Sequence, residues 1–191
     1  METIFIEDKI YDKSDFTLNP LRKGEYENCT FIACDFSNSD LTDIIFSECT
    51  FVCCNLSLAK LTKTAFREIK FKECKMLGLR FENCSQFGLS FSIDDCNLTH
   101  ASFYQTKLKK TTFKNSQFHE ADFVECDLTG SVFDNCDFFR AIFENTIIET
   151  TDFRTSFNYS INPETNRIKK AKFSLSGILG LLYKYDIDIE K

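Results

Sequence analysis

A large apolar side chain falls on every fifth position for most of the chain: Tyr26, Phe31, Phe36, Leu41, Phe46, Phe51, Leu56, Leu61, Phe66, Phe71, Met76 and Phe81. The beat slips at Gln86 and returns at Phe91. After a two-residue shift it runs from Leu98 through Phe103, Leu108, Phe113, Phe118, Phe123, Leu128, Phe133, Phe138, Phe143 and Ile148 to Phe153. Of the 22 phenylalanines only Phe5, Phe87, Phe139 and Phe157 lie off it. A period of five suits neither regular element. On a helix it advances by about 500° and buries no single stripe, and on a strand an odd period alternates faces. Both conflicts disappear if the chain turns a corner after each five residues. Four sides then close a coil of about 20 residues, every large residue points to the axis, and coils stack at roughly 4.8 Å like parallel strands.

A second position supports this geometry. Two residues before each large residue sits a small one, among them Cys29, Cys34, Ser39, Cys49, Cys54, Thr64, Cys74, Cys96, Ala121, Cys126, Ser131, Cys136, Thr146 and Thr151. The residue between the two is often Asp, Asn, Ser, Thr or Lys, as in Cys34-Asp35-Phe36 and Ala121-Asp122-Phe123, and must face water or shape the corner. In these repeats, over about residues 14–173, the chain resembles the pentapeptide repeat proteins. That resemblance implies an all-β fold, a right-handed quadrilateral parallel β-helix. The expected organisation is a repeat coil over 1–173, with a short bulge near 92–97 and an irregular coil at 154–170, followed by a C-terminal helix and short strand over 174–191.

The interruptions of the beat carry their own expectations. The shift between Phe91 and Leu98 predicts a bulge at Ser92–Asp95 that pushes Asp94 and Asp95 outward, as a tolerated insertion or as a contact with a partner. Phe153 and Phe173 are 20 apart, so one irregular coil can close in register, with a turn at Asn162-Pro163-Glu164. Leu175, Ile178, Leu179, Leu181, Leu182 and Tyr185 are spaced for a helix that Ser174 or Ser176 could cap, although Gly177 and Gly180 weaken it and packing must stabilise it. Residues 186–190 alternate as a half-exposed strand does. A coil end exposes core and strand edge and needs a cover. The helix covers one end and has an apolar face to spare, so a homodimer through Ile178, Leu179, Leu181, Leu182 and Tyr185 is expected. At the other end Ile4, Ile6 and Ile10 are expected to cover the first coil.

Composition narrows the remaining classes. The chain has 191 residues, two Pro and six Gly, enough for one continuous core without a flexible linker. No apolar run is long enough to span a membrane and no signal peptide is read, so a cytoplasmic location is expected. Nine of the ten cysteines hold the small inward position, Cys53 being the exception, which reads as small buried hydrophobes rather than disulfides or zinc ligands. No cofactor is expected. Nor is an enzyme, since no phosphate loop, nucleophile–His pair or metal spacing appears. The net charge of −6 disfavours nucleic acid as a direct partner.

The charge is unevenly distributed. Residues 60–80 carry seven Lys or Arg against Glu68 and Glu73, whereas residues 119–153 carry nine acids against Arg140 alone, a net of −8. The candidate partner-binding surface comprises Asp122, Glu125, Asp127, Asp134, Asp137, Glu144, Glu149 and Asp152. Two such zones flanking a dimer axis would form a rod with an acidic centre, suited to a protein groove that holds duplex DNA. The segment Ile161-Asn-Pro-Glu-Thr-Asn-Arg-Ile168, the apolar helix, and Ile187 with Ile189 resemble the end of a microcin immunity protein, and the helix resembles the dimerising helix of Qnr-type quinolone-resistance proteins. This gyrase-protecting branch implies binding to DNA gyrase or topoisomerase IV, partly by DNA mimicry, with protection against a topoisomerase poison. The alternative is a protein-interaction scaffold or immunity factor with a non-topoisomerase partner.

Overall fold

One side of the coil, Cys29-Thr30-Phe31-Ile32-Ala33, shows how every side is made. Thr30–Ile32 is extended, and Phe31 points into the tube and is fully buried, with Cys29 buried beside it. Ala33 takes φ 50 and turns the corner. The same left-handed residue recurs two places after each large one, at Asn28, Asn38, Asp43, Glu48, Cys53 and Leu58 and onward. Such a conformation costs a non-glycine residue about 1–2 kcal/mol, and it persists because the corner amide is bonded to the next coil, as from Asn28 N–H to the Ser47 carbonyl at 3.0 Å.

The computed structural model describes residues 4–188 and 190. Its strands are β1 (Ile4–Glu7), β2 (Ile10–Asp12), β3 (Gly24–Glu27), β4 (Thr30–Ile32), β5 (Ile45–Ser47), β6 (Thr50–Val52), β7 (Ala65–Arg67), β8 (Ile69–Lys72), β9 (Phe91–Asp94), β10 (Thr112–Lys114) and β11 (Val132–Asp134). They form two parallel sheets, β1-β3-β5-β7 and β2-β4-β6-β8-β9-β10-β11. Isolated parallel bridges such as Asp35↔Asn55 and Asp122↔Ile142 continue the ladder on the other sides. The fold is the expected quadrilateral parallel β-helix, and its coils already begin at Ile4.

The register is 20 residues, Phe31 lying opposite Phe51 and Phe46 opposite Phe66. Columns of rings follow: Phe31 and Phe51 stack at 4.7 Å, Phe113 and Phe133 at 4.5 Å, and Phe153 and Phe173 at 5.6 Å. Parallel stacks within a column and edge contacts between columns are both favourable ring arrangements. The small inward residue is selected for more than size. Its side chain donates to the carbonyl of the large residue one coil back: Cys54 Sγ to Phe31 at 3.3 Å, Thr64 Oγ1 to Leu41 at 2.8 Å, Thr146 Oγ1 to Phe123 at 2.8 Å. Cys, Ser and Thr combine small volume with a donor, which explains why they recur there alongside Ala. All ten cysteines are free and only Cys53 is exposed. Burial pushes the Cys49, Cys126 and Cys136 thiols up to about 12, so they carry no thiolate at neutral pH.

The two-residue insertion lies earlier than the expected Ser92–Asp95 bulge. Ile69 pairs with Phe91 and Phe71 with Ile93, so β9 is a regular strand. Ile93, fully buried, fills the ring column between Phe71 and Phe113, and Phe91 drops into the small inward position. The extra residues leave the wall at Ser85–Ser90. Ser85 N–H bonds Thr64 and Ser90 N–H bonds Phe66, each at 2.9 Å, and Phe87 stands out between them. Asp94 accordingly sits in the regular ladder opposite Lys72 and Lys114, and Asp95 is an ordinary corner at φ 54. Phe91 kept the five-residue beat in the sequence, which hid where the shift occurs.

At the first coil Ile4, Ile6 and Tyr11 pack against the core, whereas Ile10 is 67% exposed. The period of two in a strand puts Tyr11, not Ile10, inward once Ile6 is inward across an intervening corner at Asp8. The irregular coil closes in register, Asp152↔Lys172, with the expected turn, where Asn162 Oδ1 accepts from Glu164 N–H at 3.0 Å. Tyr159 supplies the ring that Asn158 lacks and packs on Phe153 and Phe173 at 5.7 Å each.

The C-terminal helix is much shorter than the apolar spacing suggests. Residues 175–178 form turns, α1 spans only Leu179–Leu182, and a 3-10 turn follows at Tyr183–Tyr185. Ser174 Oγ accepts from Gly177 N–H at 3.0 Å, as expected of a cap. The glycines that weaken the helix are required by its packing. A Cβ at Gly177 would strike the Tyr159 hydroxyl, and one at Gly180 would strike the Tyr159 backbone. Residues 186–188 form no strand, and Ile189 lies outside the described residues. Among the described residues no helix is long and apolar enough to cross a membrane.

Candidate partner-binding surface

The acidic residues of coils 119–153 occupy only outward positions, and the repeat distributes them over all four sides. Asp122 and Glu144 share one side, Asp122 lying opposite Ile142, with Glu125 at that side's following corner, at φ 55. Asp127 and Glu149 share the next, Asp134 and Asp152 the third, and Asp137 the fourth. They form a belt rather than a patch.

Their local bonding separates them into two groups. Asp122, Asp127, Asp137 and Asp152 each precede an inward residue and accept the N–H two residues on, at 2.8, 3.1, 3.1 and 3.1 Å. Asp35 and Asp40 do the same at 2.8 and 3.0 Å far from the acidic zone. This is an Asx turn that holds the chain as it approaches the corner, and it is the physical reason for Asp or Asn at that place in the repeat. Three of these four also carry a basic partner. Asp127 meets Lys109 Nζ at 3.0 Å, Asp137 meets His119 Nε2 at 2.8 Å, and Asp152 meets Arg154 at 2.7 Å and Lys172 at 3.8 Å. Partial burial raises the Asp127 carboxyl, but bonds from Thr129 and Lys109 outweigh it and hold it below the ordinary carboxylate value. The Arg154 bonds, opposed by partial burial, lower Asp152. Glu149 is bonded by Arg167 at 2.9 Å.

Four of the eight, Asp122 among the turn-formers together with Glu125, Asp134 and Glu144, carry no Lys, Arg or His partner among the ion pairs of the described residues. Asp134 accepts from the Thr155 hydroxyl at 2.9 Å and Glu125 from the Gln105 amide at 2.7 Å. Uncompensated negative charge therefore concentrates on the side of Asp122, Glu125 and Glu144. The sequence could not show this, because the neutralising Lys109, Arg167 and Lys172 lie 18–20 positions away, on neighbouring coils.

The candidate dimerisation residues separate as well. Leu181 packs on the core and Leu182 is half-buried, while Ile178 and Leu179 are exposed and Tyr185 donates its hydroxyl to Glu164 at 3.0 Å. Lys184 also pairs with Glu164 and ties α1 to the irregular coil. A surface missed in the sequence lies beside this cap. Phe139, Arg140, Tyr159, Leu179 and Tyr183 line a concavity of about 490 Å³. Off-beat phenylalanines were the available signal. Among the described residues no group of His, Cys, Asp or Glu is placed to hold a metal ion.

Comparison with known proteins agrees with this geometry. A family model described as a pentapeptide repeat region matches residues 25–93, and one described as pentapeptide repeats (8 copies) matches residues 96–133 and 116–154. No curated protein is matched. Among solved structures, two trypsin-treated variants of QnrB1, a plasmid-mediated fluoroquinolone resistance protein, share the fold. One has a TM-score of 0.64 at 18% identity and covers 100% of both chains. The other has a TM-score of 0.63 at 19% identity and covers 98% of both.

Proposed function

Because the chain belongs to the pentapeptide repeat family, with coils that turn polar and charged side chains outward, we propose that it acts by binding another protein. The proposed partner is DNA gyrase or topoisomerase IV, engaged by the acidic coils in place of duplex DNA, and the consequence is protection from a topoisomerase poison. The observation that carries this reading is the uncompensated acidic side Asp122–Glu125–Glu144 on a coiled rod whose adjacent C-terminal end displays exposed apolar residues, Ile178 and Leu179. A duplex presents one negative charge per about 1.7 Å of axis, so a groove built for it is basic and straight and accepts a stiff acidic rod. The likeness in fold to a fluoroquinolone resistance protein is in keeping with protection from a drug of that class.

In this reading the protein works as a homodimer, joined by the outer face of α1, so that two acidic zones flank the axis. It performs no catalysis, takes no cofactor and acts in the cytoplasm. The experiment is gyrase supercoiling with purified protein, with and without a fluoroquinolone. Protein that restores supercoiling in the presence of the drug, or that inhibits it alone, supports the proposal. Protein that changes neither, while sedimenting as a folded dimer, moves the partner outside the topoisomerases.

A further inference from the structure

A second surface, opposite in sign, is built where the wall breaks. The side that carries β7 is continuous from β1 to Arg67, is interrupted by Ser85–Ser90, and resumes at Lys107↔Asp127. The loop is fixed at both ends. Glu68 N–H bonds Ser90 Oγ at 2.8 Å, and Gln86 Nε2 bonds the Cys84 carbonyl at 3.2 Å. Its tip is not folded inward: Phe87 is 81% exposed, and Gly88 takes φ +72.

Beneath this tip lies Arg67. Its guanidinium carbon is 5.9 Å from the Phe87 ring centroid, and a Cβ on Gly88 would lie 3.6 Å from its Nε. The Arg67 Nε is buried without a hydrogen-bond partner. A buried, unpaired guanidinium N–H costs more than an ordinary lost hydrogen bond, because charged donors desolvate at greater cost. Lys63 stands at the corner before Arg67, and Lys107 and Lys109 stand on the resumed wall of the same side. Among the described residues no carboxylate lies within ion-pair distance of Arg67, Lys63 or Lys107, whereas Lys109 is already bound to Asp127.

We propose that this break is a binding site for an acidic segment of a partner protein, with a carboxylate paired to the Arg67 guanidinium and apolar side chains on the Phe87 ring. A planar guanidinium beside an aromatic face is suited to a bidentate carboxylate, and flanking lysines raise the local concentration of negative charge. The exposed ring distinguishes a peptide from a free anion, since an inorganic ion gains nothing from it. The site is independent of the topoisomerase reading, which uses the opposite charge on other coils.

The test uses the full chain and a fluorescein-labelled peptide of alternating glutamate and leucine, followed by anisotropy at low salt. Saturable binding is expected. Arg67→Gln should weaken it about tenfold and Phe87→Ser about threefold, while Lys13→Gln, on a different corner, leaves it unchanged. Arg67→Lys, which keeps the charge but loses the fork, should fall between wild type and Arg67→Gln, and it decides the matter if Arg67→Gln fails to fold. Unchanged binding in Arg67→Lys and Phe87→Ser overturns the proposal. So does inorganic phosphate that displaces the peptide and binds with Arg67 dependence alone, which assigns a free-anion site. Arg67-dependent self-association in sedimentation, with a second copy's acidic coils as the ligand, overturns it as well.

Discussion

The coils and the C-terminal cap use glycine and tyrosine in opposite ways. In the coils, most sharp corners are made without glycine, as at Ala33, Cys53, Leu58 and Lys63, with Gly78 and Gly130 as exceptions, because each corner amide is held by the coil beyond it. In the cap, Gly177 lies in a turn and Gly180 in α1, neither at positive φ, and both are nonetheless required, because Tyr159 fills the space where a Cβ would stand. One rule repeated at each side builds the coils, so a change there should be felt alike wherever it is made. The cap is held by single contacts, among them Tyr159 against the glycines, Leu181 on the core, and Glu164 against Lys184 and Tyr185. A change there should be felt once, and mainly in assembly.

The largest effect should come from a column of rings. Phe118→Ala removes a fully buried ring stacked on Phe138 at 5.3 Å and should cost about 3–5 kcal/mol in urea unfolding. Phe51→Ala, three coils away, should cost a similar amount. A markedly smaller loss at either site would break the equivalence of the coils. Next, Gly180→Ala should destabilise by about 1–3 kcal/mol through overpacking against Tyr159. Leu179→Asp, on the exposed side of the same helix, should leave unfolding unchanged and convert the proposed dimer to a monomer in sedimentation. A dimer that survives Leu179→Asp contradicts the assignment of that face.

Acid should discriminate among the carboxylates. Asp127 and Asp152 are held below their ordinary values, so the stability they contribute is present above the unfolded value of about 3.9 and is lost as pH falls through the lower folded one. Asp152→Asn should therefore weaken the dependence of stability on pH below about 4. An unchanged acid limb in Asp152→Asn would show that the Arg154 contact does not hold in solution. The smallest effects should separate the turn-forming acids from the free ones. Asp122→Ala, which loses its Asx bond, should cost about 1 kcal/mol, and Glu144→Ala should stay within about 0.5 kcal/mol.

The sequence made the architecture readable because the period is a property of consecutive residues. Large, small and corner positions follow from counting, and the buried Phe and Cys columns stand where counting puts them. Reading failed where a residue kept the count but changed its role. Phe91 remained on the beat while moving to the small position, and this displaced the expected bulge from Ser85–Ser90 to Ser92–Asp95 and gave Asp94 and Asp95 a prominence they lack. It failed again in the cap, where apolar spacing over Ser174–Tyr185 suggested a long helix. Tyr159, from a distant segment, instead sets how closely that backbone can approach, and turns replace all but Leu179–Leu182. The acidic surface was half legible. Its composition was visible, but not the division between carboxylates that shape corners or meet a basic partner, such as Asp127 and Asp137, and those free to meet a partner protein, such as Glu125 and Glu144.

That division gives the most direct test of the proposed role. Gyrase supercoiling in the presence of a fluoroquinolone should be titrated with wild-type protein and with Glu125→Lys/Glu144→Lys, which reverses two free charges without touching an Asx turn. The account predicts protection by the wild type and a requirement for at least roughly tenfold more of the variant, with equal unfolding curves for both. Protection by the two at equal concentration would contradict the acidic side as the contact, and protection by neither would contradict the topoisomerase as the partner.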